Sequence, residues 1–171
     1  MNEATMLLAS VFSAGTVLAL AALGLLINEK AGVVNLGAEG MMLCAALAGF
    51  AVGVHTGSDW LGFAAGMGAG AVLAAALGYL VIWLNTNPFA TGLALSLFGA
   101  GLSAFAGTPY TQMSLPERQR FAIPVLSDIP LVGRALFAQH PAVYVSVAVA
   151  VFLVWFFYRS RAGLVLRSVG E

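Results

Sequence analysis

The chain has 171 residues, 61% of them hydrophobic and 8% charged, with no formal net charge. An ordinary soluble domain carries about 25% charge, so seven basic and seven acidic side chains cannot cover a globule of this size. Disorder is excluded by the high hydrophobicity, a nucleic-acid surface by the missing basic excess, and a disulfide or cysteine–metal framework by the single Cys44. An integral membrane protein remains.

The charge-free intervals predict the elements in chain order. Ala4 to Asn28 holds no ionisable residue and predicts a first span over 4–27, since about 20 apolar residues cross a hydrocarbon core. It follows Met-Asn-Glu with no positive leader, so it does not read as a secretory signal. A second span is predicted over 36–55. Its first turn contains Glu39 and two glycines, Gly37 and Gly40. Trp60 to Pro116 is too long for one crossing and needs a break. Asn85-Thr86-Asn87-Pro88 supplies it, with Asn87 as helix cap and Pro88 at the first helical position. Spans over 60–84 and 88–107 follow, the first introduced by Ser58-Asp59. His140-Pro141 opens a last span over 141–158. The predicted fold is all-α: a polytopic transmembrane helical bundle of about five spans, occupying 1–158. Arg159, Arg161 and Arg167 directly after the last span place that end in the cytoplasm and the N-terminus outside. The segment 108–139 is then an external loop, long enough to expect function or internal structure.

Small residues recur at four-residue spacing. They are Ala45, Gly49 and Gly53 in the second span. In the third they are Gly62, Gly66, Gly70, Ala74 and Gly78, and in the fourth Gly92, Ser96, Ala100 and Ala104. Such faces let membrane helices approach closely, for static packing or for sliding in a transport cycle. No Asp, Glu, Lys or Arg lies at the centre of a predicted span. That argues against a proton relay inside these spans and leaves open sodium coupling through backbone carbonyls or an energy source outside them. No nucleophile elbow, metal motif or phosphate loop is present. His55 and His140 fall at span ends, Cys44 reads as packing, and Trp60, Trp83 and Tyr110 read as interfacial anchors.

Two stretches exceed what lipid requires. One is Glu29-Lys30-Ala31-Gly32-Val33-Val34-Asn35-Leu36-Gly37-Ala38-Glu39-Gly40-Met41-Met42; the other is Arg161-Ala162-Gly163-Leu164-Val165-Leu166-Arg167-Ser168-Val169-Gly170-Glu171. Both resemble the permease subunits of bacterial ABC importers for nucleosides and simple sugars, within the group that also holds ribose and branched-chain amino acid permeases. The first resembles that family's "ERxGVVNxGxEGMM", with Lys30 for the usual Arg. The second resembles "TRFGLRLRAVGENP". Asn87-Pro88-Phe89-Ala90-Thr91-Gly92-Leu93-Ala94-Leu95 resembles the helix start "NQxVxGLALN", departing at Pro88 and Ser96, and 126–133 is similar to the family's external loop.

The resemblance covers nearly the whole chain and implies a subunit of the translocation pore in a bacterial cytoplasmic membrane, bathed in lipid. It would carry nucleosides or simple sugars, or else another small polar solute such as a branched-chain amino acid. It also implies a second permease subunit, identical or different, an external substrate-binding lipoprotein, and a separate ATPase that uses ATP and Mg. The chain itself would be no enzyme, bind no cofactor and meet no nucleic acid. The family continues past "VGE", so the chain reads as an N-terminal half. Its residues 159–171 are then the start of a truncated cytoplasmic coupling loop with no room for a helix. Coupling falls by resemblance on Arg161, Gly163, Arg167, Ser168, Val169, Gly170 and Glu171. The core motif is Glu29, Lys30, Gly32, Asn35, Gly37, Glu39 and Gly40. Asn87, Phe89, Ser96, Phe98 and Ser103 are candidates for the solute pathway. A secondary transporter would need intramembrane charges or a complete inverted repeat, and a scaffold would not need both motifs.

Overall fold

The computed structural model describes residues 3–114 and 141–170. The described elements are helical: α1 (Glu3–Lys30), α2 (Ala38–Thr56), α3 (Asp59–Gly78) running on into a π-helical turn (Tyr79–Trp83), α4 (Pro88–Gly107) followed by a 3-10 turn (Thr108–Tyr110), α5 (Pro141–Arg159) and α6 (Arg161–Gly170). No strand occurs among the described residues. The chain divides into two compact units, Val33–Glu117 and a second made of Met1–Gly32 with Arg118–Glu171.

The first unit holds α2, α3 and α4. Gly57 ends α2 in the left-handed conformation (φ 66°), its N–H donating to the Gly53 carbonyl at 2.9 Å. This is the conformation that L side chains resist. One residue later Ser58 caps α3, its Oγ accepting from Leu61 N–H at 3.5 Å. The two-residue turn folds α2 and α3 into a hairpin. At the other end of α3 the π turn widens the helix, and Asn85 takes a left-handed φ of 48°. Thr86 Oγ1 donates to the Leu80 carbonyl (2.9 Å) and accepts from Thr91 Oγ1 (2.9 Å). Asn87 Oδ1 accepts from the N–H groups of Phe89 (2.9 Å) and Ala90 (3.4 Å), with Pro88 opening α4. The break expected from Asn-Thr-Asn-Pro is therefore present. Its side chains satisfy the backbone groups that the interruption frees, which apolar surroundings require.

Helices α2, α3 (with its π turn, 25 residues) and α4 (with its 3-10 turn, 23 residues) are each long and apolar enough to cross a membrane. In the second unit α5 and α6 form a bent pair at 78°, and α1 is 28 residues, about 42 Å at 1.5 Å per residue. Among the described residues few large apolar side chains are buried: Met41, Leu77, Leu153 and Phe157 are, while Trp60, Trp83 and Phe105 are more than 70% exposed. Such a surface suits lipid or neighbouring protein.

Three expectations are corrected. The second span begins at Ala38, because Val33 to Gly37 is a non-helical approach. The segment after Arg159 is not an unformed loop but the ten-residue helix α6. Its cap is Ser160, whose Oγ accepts from Gly163 N–H (3.0 Å) and donates to the Phe156 carbonyl (2.7 Å). The four-residue stripes hold over two turns and then wander. At 3.6 residues per turn a strict four-residue repeat drifts about 40° per step. Gly62 and Gly66 therefore meet α2, Gly70 only grazes Ala45, and Gly78 meets nothing. His140 and residues 115–139 of the external loop lie outside the described residues.

Candidate functional site

The core motif divides between the two units. In the second unit, Glu29 and Lys30 close α1 as exposed residues. Gly32 takes φ 78°, and its N–H donates to the Glu29 carbonyl at 3.0 Å. This corner meets the end of α6. A Cβ built on Gly32 falls 3.1 Å from Gly170 Cα, and one built on Gly170 falls 2.9 Å from Gly32 N and clashes with the Lys30 carbonyl oxygen. The two distinctive sequence stretches thus touch through glycine backbone, a meeting that their 138-residue separation does not announce.

In the other unit Asn35 organises the approach to α2. Its Oδ1 accepts from Gly37 N–H at 2.9 Å, and its Nδ2 lies 3.9 Å from Met41 Sδ. Gly37 and Gly40 are buried and Glu39 is exposed. Gly37 and Leu36 lie against Gly92 of α4, where a Cβ on Gly92 would come within 3.0 Å of Leu36 N. Gly40 goes further. Its Cβ would sit 2.6 Å from the Leu95 carbonyl oxygen and 2.7 Å from Ser96 Cα. The reciprocal Cβ on Gly99 would sit 2.5 Å from Gly40 Cα. Helices α2 and α4 therefore cross with backbone on backbone. Beside the crossing Cys44 Sγ donates to the Gly99 carbonyl (3.6 Å) and Ser103 Oγ to the Leu43 carbonyl (3.5 Å). Gly99 had no place in the four-residue stripe. The contact face runs through Gly92, Ser96, Gly99 and Ser103, alternating steps of four and three as a helical face must.

The pathway candidates do not form one cluster. Asn87 is committed to capping α4. Ser96 and Ser103 lie on the side facing α2, whereas Phe89 (53%) and Phe98 (56%) are exposed. A groove of about 530 Å³ between α2, α3 and α4 is walled by Cys44, Leu47, Val72, Leu102 and Tyr110, and none of the pathway candidates lines it. Tyr110 is more than an interfacial anchor. Its ring meets Phe50 edge-on at 6.3 Å, and its hydroxyl lies 3.3 Å from His55 Nε2.

The coupling candidates occupy the α5–α6 corner. Gly163 is buried, and a Cβ there clashes with the Phe156 carbonyl oxygen. Arg161 opens α6 as an exposed residue. The Arg167 guanidinium stands 5.2 Å from the Tyr158 ring centroid. Ser168 Oγ donates to the Val165 carbonyl at 2.8 Å, Val169 is 74% exposed, and Glu171 lies outside the described residues. Ser160, absent from the sequence candidates, holds the corner. A serine three residues before the buried glycine was its signal.

The family described as branched-chain amino acid transport system / permease component matches residues 7–171, and the chain belongs to it. This is a family of membrane transport components rather than of enzymes, and the chain is an integral protein of the cytoplasmic membrane. It is 45% identical over 176 residues to a protein of Haloferax volcanii provisionally named a glucose ABC transporter permease, covering 100% of this chain and 53% of the relative. It is 29% identical to the guanosine ABC transporter permease of Bacillus subtilis (90% and 52%). It is 26% identical to the nucleoside ABC transporter permease of Lactococcus lactis (99% and 57%). The chain spans about half the length of these relatives. No solved structure matches it significantly.

Proposed function

We propose that the chain forms part of the translocation subunit of an ATP-driven importer for a small polar solute, a simple sugar first. The family match over residues 7–171, with 45% identity to the Haloferax relative, carries this reading. Nucleosides are the second reading, favoured by the relatives from Bacillus and Lactococcus. The helices contribute charge-free walls. Their five crossings would run over α1 to α5, with the N-terminus outside. Work would be supplied by a separate ATPase, and solute by an external binding protein. A second permease subunit would complete the pore. Phe89 and Phe98 are the aromatic candidates for the pore wall, suited to stacking on a sugar or base face. The Asn35–Gly40 approach and the α2–α4 crossing are read as the rigid core behind that wall.

Ser168, Val169, Gly170 and Glu171 are read as leading toward the ATPase, on a helix shaped by Arg161, Gly163 and Arg167. The test is uptake by the full-length permease, reconstituted in vesicles with its ATPase and binding protein. ATP-dependent glucose entry exceeding guanosine entry is expected. ATP hydrolysis with entry of neither solute would sink the assignment of substrate class. In the same system Gly170→Val, which presses a side chain onto the Lys30 carbonyl, is expected to leave hydrolysis running while uptake falls at least tenfold. Uptake and hydrolysis falling in step would instead assign Gly170 no part in coupling.

A further inference from the structure

The π turn Tyr79–Trp83 buries none of its side chains. A Cβ on Gly78, where it begins, would meet nothing within 4 Å. Tyr79 and Trp83 stack on each other inside the turn, with ring centroids 6.5 Å apart. A π turn bonds each N–H five residues back instead of four, is rare, and gathers at functional places.

Hydrogen bonds hold the register here. In an α ladder Leu84 N–H would donate to the Leu80 carbonyl, four residues back. Thr86 has taken that acceptor, its N–H donating at 3.2 Å and its Oγ1 at 2.9 Å. A carbonyl oxygen has two lone pairs, and Thr86 fills both. Leu84 N–H steps back to the Tyr79 carbonyl at 3.4 Å, a longer and weaker bond. Thr86 is aimed in turn from α4. Thr91 Oγ1 donates to Thr86 Oγ1 at 2.9 Å, which leaves the Thr86 proton to Leu80. The next residue, Gly92, is buried against Leu36 on the approach to α2. The relay from Thr91 through Thr86 to Leu80 thus ties the register at the end of α3 to the seat of the first turn of α4.

We propose that the α3–α4 break is a two-position joint. With Thr91 and Thr86 engaged, the turn stays in π register. When the start of α4 draws Thr91 away, Thr86 frees a lone pair on Leu80. Leu84 N–H then returns to it and the turn tightens to α. The two registers differ by one residue, so Ile82, Trp83 and Leu84 swing round the axis of α3 by up to about 100°. The helices need not repack, because the turn carries no buried side chain. The joint re-aims the exposed Trp83 a few residues ahead of Asn87 and Phe89, and it stands apart from the identity of the solute.

Pulsed EPR on the full chain in detergent reads the register. One label pair is Val72→Cys with Ile82→Cys, both sites 69% exposed. The control pair, Val72→Cys with Met42→Cys, does not cross the turn, and Cys44 is buried and stays unlabelled. Thr86→Val keeps the side-chain shape and removes the hydroxyl. It is expected to raise the population of a second Val72–Ile82 distance by about fivefold, the worth of one hydrogen bond. Thr91→Val is expected to shift the same pair in the same direction by less, and Thr86→Ser to keep the parent distribution. The Val72–Met42 distance is expected to hold throughout. An unchanged Val72–Ile82 distribution in either valine variant overturns the proposal. So does a Thr86→Ser chain that behaves like Thr86→Val, or a shift of both label pairs together, which would mean a general loosening of the unit.

Discussion

The α2–α4 crossing and the α5–α6 corner both depend on glycine, and they use it oppositely. At the crossing Gly40 and Gly99 remove side chains so that two helices share a backbone contact. At the corner Gly163 removes a side chain so that one helix can turn sharply away from another, with Ser160 satisfying the groups that the turn frees. The crossing is held by packing along an apolar face. The corner is held by a short set of hydrogen bonds and an Arg167–Tyr158 contact. Membrane helices lack a hydrophobic drive to associate and rely on close fit, so the crossing should tolerate no added volume. The corner lies where the charged residues begin, and its intolerance is confined to Gly163, whose Cβ would clash with the Phe156 carbonyl oxygen.

Four substitutions probe that contrast. Gly40→Leu is expected to have the largest effect, because α4 backbone already occupies the space. A loss of about 3 kcal/mol or more should appear as a collapse of folded yield and a lowered unfolding midpoint in detergent. Gly163→Ala comes next, at about 1–3 kcal/mol. A spin-label distance between α5 and α6 should lengthen while the α2–α4 distance holds. If both distances change together, the two regions are not independent. Asn87→Ala removes the cap at the α3–α4 break and should cost about 1 kcal/mol, with Asn87→Asp recovering most of it, as read by hydrogen exchange at Phe89 and Ala90. Gly68→Ala is the internal control. Nothing lies within 4 Å of a Cβ there, and relief of helical glycine entropy should leave stability unchanged or raised by about 0.5 kcal/mol. A large loss at Gly68 would show that the small residues of α3 face a partner that the isolated chain lacks.

Much of this was legible in the residues. Charge spacing marked the apolar helices, and Asn87-Pro88 and Ser58 announced their caps, because these signals act within a few residues of chain. The motifs pointed to the transport family that the comparisons then showed. The contact faces were less legible. A strict four-residue repeat drifts off the helical face, so it takes in Ala100 and Gly78 and passes over Gly99, which carries the contact. Helix α6 was missed because its arginines and alternating apolar residues resemble a polar tail, and its start depends on a single serine. Asn35 stood out only as part of the core motif, and its acceptance from Gly37 N–H depends on the non-helical path of Val33–Gly37.

The sequence alone therefore determined the all-helical membrane character, the caps at Ser58 and Asn87 and the family, since hydrophobic length and capping are local properties of the chain. Only the tertiary structure decided which glycines carry the contacts, that Gly32 meets Gly170, and that the charged end turns through 78°. The reason is physical. In lipid nearly every face is apolar, so hydrophobicity does not mark the buried one. Contact goes to whichever face lets two backbones approach, and that depends on residues far apart in the chain.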